Sequence, residues 1–409
     1  MKKTILKLLL VFFLLIIFTY VVAIENLPNQ IVVFEGENIS LRTLFGFNII
    51  TDLETIETAS TKATAITDNL GKATMKVSLF DSLVVKDINV EILPKTTVIP
   101  VGSIAGVKLY TNGVLVVGMS EIEGIDNKKY KPYENSGIKE GDMITEINNI
   151  LIDSTEELIE VVNQAQGNPV KIKYIQDEQT KECSIEPVKT TNLEYKLGLW
   201  VRDSAAGVGT VSFYEPSAKT FGALGHGITD IDTGELINIA SGEFVTTKIL
   251  NIIKGESGNP GKIQGTVENQ TNIGKIYKNT QFGIYGKVDN LSSLNIDTSK
   301  EMQVALREEI KEGKATILCS LDNQNVQEYE IEIEKVYTEN NYNNKSIKIK
   351  VIDDRLLEKT GGIIQGMSGS PIIQNGKFVG AVTHVLVNNP QEGYALFADM
   401  MVKQIRTVE

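Results

Sequence analysis

Apolar and polar residues alternate between positions 26 and 95, and this pattern predicts several β-strands. The stretches NQIVVFEGENISL, ATMKVSLF and VKDINVEIL place apolar side chains at every second position, and the turn residues Asn-Leu-Gly precede the second. Two prolines in LPKTTVIPVG, Pro94 and Pro100, mark the predicted end of this region. We therefore expect a small β domain over 26–99, with a spacer or docking role because no chemical group in it stands out.

The N-terminus differs from this pattern, because apolar residues run there without alternation. Three lysines lie before residue 8, the run from Leu8 to Ile24 carries no charge, and Glu25 follows. A membrane-spanning helix needs roughly 20 apolar residues. We expect an anchor at 1–25, with the N-terminus in the cytoplasm and the rest outside, as lysines on the cytoplasmic side imply. The alternative is a cleaved signal peptide, for which Val-Val-Ala at 21–23 is a poor cleavage site.

Helical spacing of apolar residues returns in DSTEELIEVVNQAQG, within 100–190. Ser154 predicts the N-cap of a helix, Glu157 can complete a capping box, and Gly167 predicts the end. Strand patterns stand on both sides, in GDMITEINN and PVKIKYIQ. The apolar stripe of the helix consists of Leu158, Val161, Val162 and Ala165.

This helix and the turn before it resemble those of a PDZ domain. The turn GIKEGD at 137–142 corresponds to the Gly-Leu-x-x-Gly-Asp of that family and precedes a strand pattern. In PDZ domains an extended peptide adds a strand beside the helix, and backbone N–H groups hold its carboxylate. The resemblance implies a PDZ-like α+β domain at 100–190, with Leu158, Val161 and Ala165 lining a peptide groove. The matching loop, in YTNGVLVVGMS at 110–120, lacks the usual Gly-Leu-Gly-Phe.

The remaining region, 191–409, is rich in glycine and in short strand patterns. Examples are GVGTVSFYEP, VQEYEIEIEKVY and KSIKIKVIDD, whereas the clearest helical pattern is the C-terminal LFADMMVKQIR. Many short strands separated by turn residues indicate a β-sandwich or a pair of barrels. The whole chain is thus predicted to be mainly β and multidomain.

Composition narrows the function classes. The 409 residues carry a net charge of −12 with a pI near 5.0, which argues against nucleic-acid binding. Cys183 and Cys319 are the only cysteines, so neither a disulfide framework nor a thiolate zinc site is expected. We expect two buried thiols, and neither a metal nor a cofactor.

The segment GGIIQGMSGSPII, at 361–373, interrupts a strand pattern with four glycines. A nucleophilic serine needs a base for its proton and N–H donors for the oxyanion that forms. Glycines allow a sharp turn on which the N–H groups of Gly366 and Ser368 converge, next to Gly369. The sequence of this turn resembles the Gly-Asp-Ser-Gly-Gly-Pro turn of chymotrypsin-like proteases. That resemblance implies Ser368 as the nucleophile and a double β-barrel. Ser370, which precedes a proline, is the alternative.

Two other functional motifs, the serine elbow of α/β-hydrolases and the phosphate-binding loop, do not match this sequence. The α/β-hydrolase elbow needs Gly-x-Ser-x-Gly and the chain order Ser, acid, His. Here the fifth position is Ser370, and the histidine after the serine, His384, follows too closely. A phosphate loop is excluded as well, because GESGNPGKI at 255–263 has the wrong spacing and an isoleucine after its lysine. We expect that segment to be a mobile surface loop.

The chain contains two histidines, His226 and His384. His226 stands between two glycines in FGALGHGITD, and it precedes the serine as a chymotrypsin-like base would. His384 lies on the strand after the Asn-Gly turn at 375–376, so we expect a pocket or supporting role for it. The third member of a triad stays open from the residues alone. Its candidates are Asp203, Asp230, Asp289, Asp353 and Asp354.

With an anchor, a small β domain, a PDZ-like domain and this peptidase-like region in order, the chain closely resembles the stage IV sporulation protein B family. Its most specific stretches are GALGHGITD, TGGIIQGMSGSPIIQNGK and GAVTHV. The resemblance implies His226 as the base, Ser368 as the nucleophile and Asp353 as an aspartate needed for activity. Because Asp353 precedes the serine by only 15 positions, its role can be to orient the site rather than His226.

The resemblance also implies substrates and a location. Members of that family are membrane-anchored serine peptidases of endospore-forming bacteria. They cut themselves under control of the PDZ domain, and they cleave a membrane-embedded regulatory protein between the forespore and mother-cell membranes, which leads to activation of a late sigma factor. Peptide and protein substrates, the chain itself and the membrane are therefore the expected partners.

Two alternative functions remain. A general PDZ-linked quality-control protease would degrade a partly unfolded protein broadly, whereas a regulatory peptidase would hardly degrade it. A PDZ scaffold without peptidase activity would not react with a serine-directed fluorophosphonate. The presence of both His226 and Ser368 speaks against the scaffold.

Overall fold

A computed structural model of the chain describes residues 2–42, 46–51, 55–59, 62–66, 70–80, 82–266, 271–294, 296–323, 325–337 and 344–406. Strands dominate, and two of the four α-helices lie within the C-terminal half of the chain. The predicted mainly β, multidomain architecture is confirmed.

The chain begins with helix α1, Lys2–Glu25. Its segment Thr4–Glu25 is long and apolar enough to cross a membrane, with a mean hydropathy of 2.9, and none of its most apolar stretch is buried within the described part of the chain. The end of α1 contacts the next domain, where the rings of Tyr20 and Phe47 lie 5.6 Å apart.

The small β domain follows α1 and is built from two sheets. One has the strand order β1-β7-β6-β3, with β1 parallel to β7, and the other has the order β2-β5-β4. Parts of the predicted region 26–99 lie outside the described residues. The strands are β1 Gln30–Phe34, β2 Asn38–Arg42, β3 Phe47–Thr51, β4 Thr55–Ala59, β5 Lys62–Ile66, β6 Gly71–Leu79 and β7 Leu83–Leu93.

The PDZ region consists of short strands and helix α2, Thr155–Gln164. The predicted N-cap is confirmed, because the Ser154 side chain accepts a hydrogen bond from the N–H of Glu157 at 3.2 Å. The Glu157 carboxylate in turn accepts from the N–H of Asp153 at 2.9 Å. The strands in this part of the chain are β8 Thr97–Pro100, β9 Ile104–Met119, β10 Ile122–Glu123, β11 Lys129–Tyr130, β12 Met143–Ile147, β13 Ile150–Leu151, β14 Val170–Gln176, β15 Gln179–Ile185, β16 Val188–Lys189 and β17 Tyr195–Lys196. Of these, β8 pairs with strands of the peptidase region instead.

The peptidase region contains a first six-stranded barrel. Strand pairing runs β9-β20-β23-β24-β19-β18 and closes where β18 pairs with β9. Its core includes a stacked pair, Phe221 and Phe244, whose ring centroids lie 4.6 Å apart. The strands are β18 Leu199–Glu215, β19 Thr220–Ala223, β20 Ile239–Thr246, β21 Lys248–Ile253, β22 Lys262–Thr266, β23 Asn272–Thr280, β24 Gly283–Val288 and β25 Met302–Gln303.

A second closed barrel has the strand order β26-β27-β28-β31-β30-β29. Period-two burial explains its strands: in β28 the side chains of Ile347, Ile349 and Val351 are buried, while the lysines between them are less so. The elements are β26 Gly313–Ser320, β27 Val326–Val336, β28 Ile347–Val351, α3 Asp354–Thr360, β29 Pro371–Gln374, β30 Lys377–Leu386, β31 Asn389–Phe397 and α4 Ala398–Ile405. Three 3₁₀ turns precede this barrel, at Leu291–Leu294, Thr298–Lys300 and Arg307–Glu309.

Strand β9 belongs to two sheets at once. Its residues 104–111 pair with β18 and β20 in the first barrel, while Val114 and Leu115 pair with β12 of the PDZ region. The predicted limits 100–190 and 191–409 remain predictions. The pairing shows that the first barrel needs a strand from before residue 191, so removal of 100–190 would open it.

Candidate active site

A cleft of about 450 Å³ lies where the two barrels meet. The first barrel contributes His226 and the stretch 205–208 of β18, and the second contributes Ser368, Thr383 and His384. Three of the residues singled out from the sequence therefore line one cavity, although they are far apart in the chain. This is the arrangement that a catalytic site between barrels requires.

Ser368 lies on a turn that depends on its glycines. Gly366 and Gly369 have φ angles of 100° and 97°, which side chains rarely tolerate. A Cβ atom at 369 would also overlap the carbonyl oxygen of Thr210. The glycine-rich segment thus permits both the backbone conformation and a close approach of the first barrel.

The turn presents backbone donors to the cleft. Within the described residues, the N–H groups of Gly366 and Ser368 have no hydrogen-bond partner. The N–H of Gly369 is different, because it donates to the carbonyl of Val382 at 2.7 Å. Gly369, which was expected to support the oxyanion, therefore contributes conformation rather than an N–H donor.

Thr210 holds this turn in place, and sequence reasoning missed it. Its hydroxyl donates to the carbonyl of Gly366 at 2.7 Å, and its N–H donates to the carbonyl of Ser368 at 3.0 Å. Thr210 is fully buried at the end of the cleft wall. A threonine within a strand pattern gives no sequence signal for such a contact, because the partners lie more than 150 positions away.

Ser370 is buried outside the cleft, unlike Ser368. It is fully buried, its N–H donates to the carbonyl of Met367 at 2.9 Å, and its hydroxyl has no partner among the described residues. It does not line the cleft. Of the two serines, only Ser368 is accessible to a peptide.

His226 follows β19 on a turn in which Leu224 and Gly225 both have a φ of 69°. Its Nδ1 lies 2.8 Å from the carbonyl oxygen of Gly227. Since a carbonyl can only accept, Nδ1 carries the proton and Nε2 is left as the acceptor in the neutral ring. Burial lowers the pKa of His226 below its ordinary value of 6.5, against the opposing effect of this hydrogen bond. A neutral ring with a free Nε2 is suited to a general base.

His384 lies across the cleft, with its ring centroid 5.6 Å from that of His226. Burial, then the charges of His226 and Lys345, lower the pKa of His384 to about 4. Its Nδ1 is buried without a partner in the described part of the chain. The Ser368 hydroxyl donates to the carbonyl of the preceding residue, Thr383, at 2.9 Å. In this arrangement the serine proton points toward β30 rather than toward either histidine.

Asp353 lies at the N-cap of α3 and does not line the cleft. Its carboxylate accepts from the N–H groups of Arg355 at 2.9 Å and Glu330 at 3.1 Å, and from the Arg355 guanidinium. These hydrogen bonds, with Arg355 the largest contributor, lower the pKa of Asp353 to about 2 against the effect of burial. The strand expected to continue through Asp353 ends at Val351 instead. The Asp-Asp-Arg start and the Gly361 end, with a φ of 74°, are helix signals that could have indicated α3.

The other aspartates are engaged elsewhere or exposed. Asp230 is buried with its carboxylate bonded to the Arg202 guanidinium. Asp203 accepts from the N–H of Thr155 at 2.8 Å, while Asp289 and Asp354 are exposed. None of the four lines the cleft.

The segment 255–263, expected to be a mobile surface loop, contacts the serine turn. The N–H of Ile263 donates to the carbonyl of Gln365 at 2.8 Å, and the N–H of Gln365 donates to the carbonyl of Gly261 at 2.8 Å. Pro260 lines the cleft. The glycines of this segment thus allow close packing against the residues before Ser368.

In the PDZ region, the expected groove residues divide between two surfaces. A cavity of about 550 Å³ beside α2 is lined by Leu158, Ile159 and Val162. Val161 and Ala165 pack into the domain core instead, because a wide apolar stripe on a helix presents only one edge to a neighbouring groove. Peptide binding by Leu158, Val161 and Ala165 remains a prediction.

Comparison with known proteins identifies two regions of the chain. A family model for the PDZ domain matches residues 107–186, and one for SpoIVB peptidase S55 matches residues 193–402. The PDZ domain of the SdrC-like protein (Lmo2051) of Listeria monocytogenes is 23% identical, with a TM-score of 0.18, over 22% of this chain and 87% of its own. The inactive form of the Rv3671c protease of M. tuberculosis is 15% identical, with a TM-score of 0.27, over 49% of this chain and 84% of its own. Both TM-scores are too low to establish a shared fold.

The peptidase match spans more than half of the 409 residues and contains both His226 and Ser368. The structure combines two closed barrels, a cleft between them and a PDZ region in one chain. The chain belongs to the SpoIVB peptidase S55 family and is a PDZ-containing serine peptidase.

Proposed function

We propose that the chain is a membrane-anchored, extracytoplasmic endopeptidase in which Ser368 is the nucleophile and His226 its general base. The observation that carries this proposal is the shared cleft, which Ser368, Gly366 and His226 line, with the N–H groups of Gly366 and Ser368 unpaired among the described residues. The Ser368 hydroxyl first rotates from Thr383 toward Nε2 of His226, which takes its proton as Oγ attacks the peptide carbonyl. The N–H groups of Gly366 and Ser368 then stabilise the oxyanion.

The second half of the reaction uses the same groups. The imidazolium of His226 donates its Nε2 proton to the leaving amine, which produces an acyl-enzyme on Ser368. His226 then takes a proton from a water that attacks the ester, and it returns this proton to Oγ of Ser368 as the acid is released. The Gly227 carbonyl keeps the His226 ring in the tautomer that both steps need. His384 forms the opposite wall of the cleft and shapes the pocket.

We assign Asp353 a positioning role that acts through α3. Its carboxylate caps this helix, and α3 leads directly into the segment of Ser368. The N–H of Gly361, at the other end of α3, donates to the carbonyl of Leu357 at 2.9 Å. Loss of the cap would therefore loosen the start of the serine segment without touching His226.

We further propose that the substrates are the chain itself and a regulatory membrane protein in a sporulation signalling pathway. Family membership and the apolar helix α1 support this, together with lysines on the N-terminal side that favour an N-terminus in the cytoplasm. The peptidase would then lie outside the cytoplasm, in a sporulating cell between the forespore and mother-cell membranes.

Replacing Ser368 by alanine should abolish peptide cleavage and labelling by a fluorophosphonate, because both need Oγ. Ser370→Ala is the matched control and should keep labelling, since Ser370 lies outside the cleft. Labelling is read by mass spectrometry of the full chain. Labelling that survives in Ser368→Ala and disappears in Ser370→Ala would reverse the assignment.

The kcat/KM of a short peptide should rise with pH and level off by neutrality, because the base acts only when neutral and burial lowers the pKa of His226 below 6.5. His226→Ala should reduce the rate about as much as Ser368→Ala, and the double variant should be little slower than either, since the two act as one unit. Additive losses in the double variant would contradict this.

Asp353→Asn keeps a side-chain oxygen that can cap α3 but removes the negative charge that the Arg355 guanidinium and two N–H groups stabilise, so it should lower stability by about 1–2 kcal/mol. Because the pKa of Asp353 is lowered to about 2, the difference should be complete above about pH 4 and disappear as the pH falls through about 2. Thermal unfolding across this range measures it, with exposed Asp354→Asn as the control. The pH midpoint of kcat/KM should not move, whereas loss of a carboxylate facing His226 would lower it.

A partly unfolded, disulfide-free protein incubated with the full chain should stay largely intact, while the chain cuts itself at defined positions. Gel electrophoresis over time separates the two behaviours, with Ser368→Ala as the control for contaminating proteases. Broad degradation of the unfolded protein would favour the quality-control function instead.

A further inference from the structure

The two strands β21 and β22 form a hairpin that belongs to neither barrel. Among the described strands they pair only with each other, and Leu250 on β21 is more than half exposed. The hairpin nevertheless contacts the serine turn, because Lys262 and Gln365 form a parallel bridge. In this bridge the N–H of Ile263 donates to the carbonyl of Gln365, and the N–H of Gln365 donates to the carbonyl of Gly261, both at 2.8 Å.

Gln365 and Gly366 are the two central residues of a β-turn that precedes Ser368. The N–H of Met367 donates to the carbonyl of Ile364 at 3.1 Å and closes this turn. Gly366, at the third position, has a φ of 100°, and a positive φ there is typical of a type II turn. A type I turn has the same ends, but the peptide unit between its central residues is rotated by about 180°. The peptide unit that joins Gln365 to Gly366 therefore has two possible orientations.

This peptide unit carries one of the two oxyanion donors, because its N–H is that of Gly366. In a planar trans peptide the N–H and the C=O point in opposite directions. The hydrogen bond from Ile263 holds the Gln365 carbonyl toward β22, so the N–H of Gly366 points away from β22. Gly366 lines the cleft. In the rotated orientation a carbonyl would take the place of the N–H, and it would repel the oxyanion instead of stabilising it.

The neighbouring backbone groups are held by other contacts. The carbonyl of Gly366 accepts from the Thr210 hydroxyl, and the N–H of Gln365 donates to Gly261. The Gln365 carbonyl has the N–H of Ile263 as its only hydrogen-bond partner in the described part of the chain. The orientation of the peptide unit with the oxyanion donor thus depends on a single hydrogen bond from β22.

Contacts outside the cleft set the position of the hairpin. The side-chain amide of Asn323, after β26, donates to the carbonyl of Ile249 at 2.9 Å and accepts from its N–H at 2.6 Å. Between β21 and β22, the N–H of Gly255 donates to the carbonyl of Thr360 at 2.8 Å, at the end of α3. The hairpin is therefore fastened to the second barrel and to α3, and it presents the N–H of Ile263 to the serine turn from a fixed position.

We propose that Ile263 is a positioning residue, whose backbone N–H holds the peptide unit between Gln365 and Gly366 in the orientation that forms the oxyanion hole. The acting group is the amide and not the side chain, so every residue type except proline can supply it. The part that concerns the reaction rate rests on the function proposed above, because it assigns the N–H of Gly366 to the oxyanion. The part that concerns the conformation of the turn does not.

Ile263→Pro removes this N–H, which faces away from β21 and toward Gln365. Proline is tolerated on an edge strand at such a position, and Lys262 before it is already extended, as a residue before proline must be. Ile263→Val is the matched control, because valine has as many side-chain carbons as proline but keeps the N–H.

The rate is measured on the full chain in detergent micelles with p-nitrophenyl acetate, whose stopped-flow kinetics give the acylation rate constant and the dissociation constant separately. Ile263→Pro should lower the acylation rate constant about tenfold, the factor that one hydrogen bond contributes to an equilibrium. The dissociation constant should change less than about twofold, because the oxyanion forms only after the attack. Ile263→Val should not show this loss. The pH midpoint of acylation should not move, since His226 is not touched.

The conformation of the turn is measured without any reaction, by hydrogen exchange and mass spectrometry of the full-length Ser368→Ala chain. The N–H of Gln365 is hydrogen-bonded in the bridge, so segment 361–367 should exchange about tenfold faster with Ile263→Pro and at the original rate with Ile263→Val. Strands β26 to β28 should keep their protection in both variants, which shows that the second barrel is folded.

Asn323→Ala is the second variant and decides the test if Ile263→Pro does not fold. It removes both hydrogen bonds that fasten β21, and Asn323 does not line the cleft. Acylation should slow about threefold and segment 361–367 should exchange faster, because the hairpin opens more often. Asn251→Ala is its control, since the Asn251 amide bonds Gln264 within the hairpin instead.

Equal exchange and equal acylation in the altered chains and their controls would overturn the positioning role of Ile263. A slower reaction accompanied by weaker substrate binding and by lost protection throughout the barrel would show a general structural role and overturn it as well. Faster exchange of the turn at an unchanged acylation rate would overturn the link to the oxyanion. A chain with native Ser368 that never reacts with the ester or a fluorophosphonate would refute the peptidase mechanism, and the exchange result would still decide what holds the turn.

Discussion

The antiparallel pairing of β9 with β18 is the contact on which the rest of the structure depends. It closes the first barrel between residues 104–110 and 204–210, and it continues into the PDZ region between 115–119 and 199–202. Bulges separate the two parts of the ladder, at Trp200/Val201 and Arg202/Ser204. A bulge increases the local twist and redirects a strand. The same two strands can therefore serve a barrel at one end and a PDZ fold at the other.

This pairing lies next to the cleft between the barrels, because residues 205–208 of β18 line that cleft. Burial favours the neutral form of both histidines, and none of the described carboxylates lines the cleft or is hydrogen-bonded to His226. A carbonyl, that of Gly227, holds the His226 tautomer. A carbonyl orients the ring but adds no full negative charge to stabilise the imidazolium.

Local sequence signals predicted the local structure well. Ser154 and the spacing of Leu158 and Val162 indicated α2, and alternation in KSIKIKV indicated β28. The glycines around Ser368 indicated an accessible serine turn, because positive φ angles are a property of the residue itself. His226 was found for a similar reason, from the glycines on both sides of it and its place in the chain order.

Contacts between distant segments could not be predicted in this way. Nothing in the residues of β9 states that its partner lies about 90 positions later, and Thr210 resembles any strand threonine until its carbonyl partners on the serine turn are known. Asp353 is the opposite case, because it was a candidate from the sequence and does not line the cleft. The family resemblance singled it out among five candidate aspartates, yet its carboxylate already accepts hydrogen bonds from the N–H groups of Arg355 and Glu330. A carboxylate near a nucleophile in sequence acts on it directly only when the fold leaves that carboxylate unsatisfied, and here the fold uses it to begin a helix.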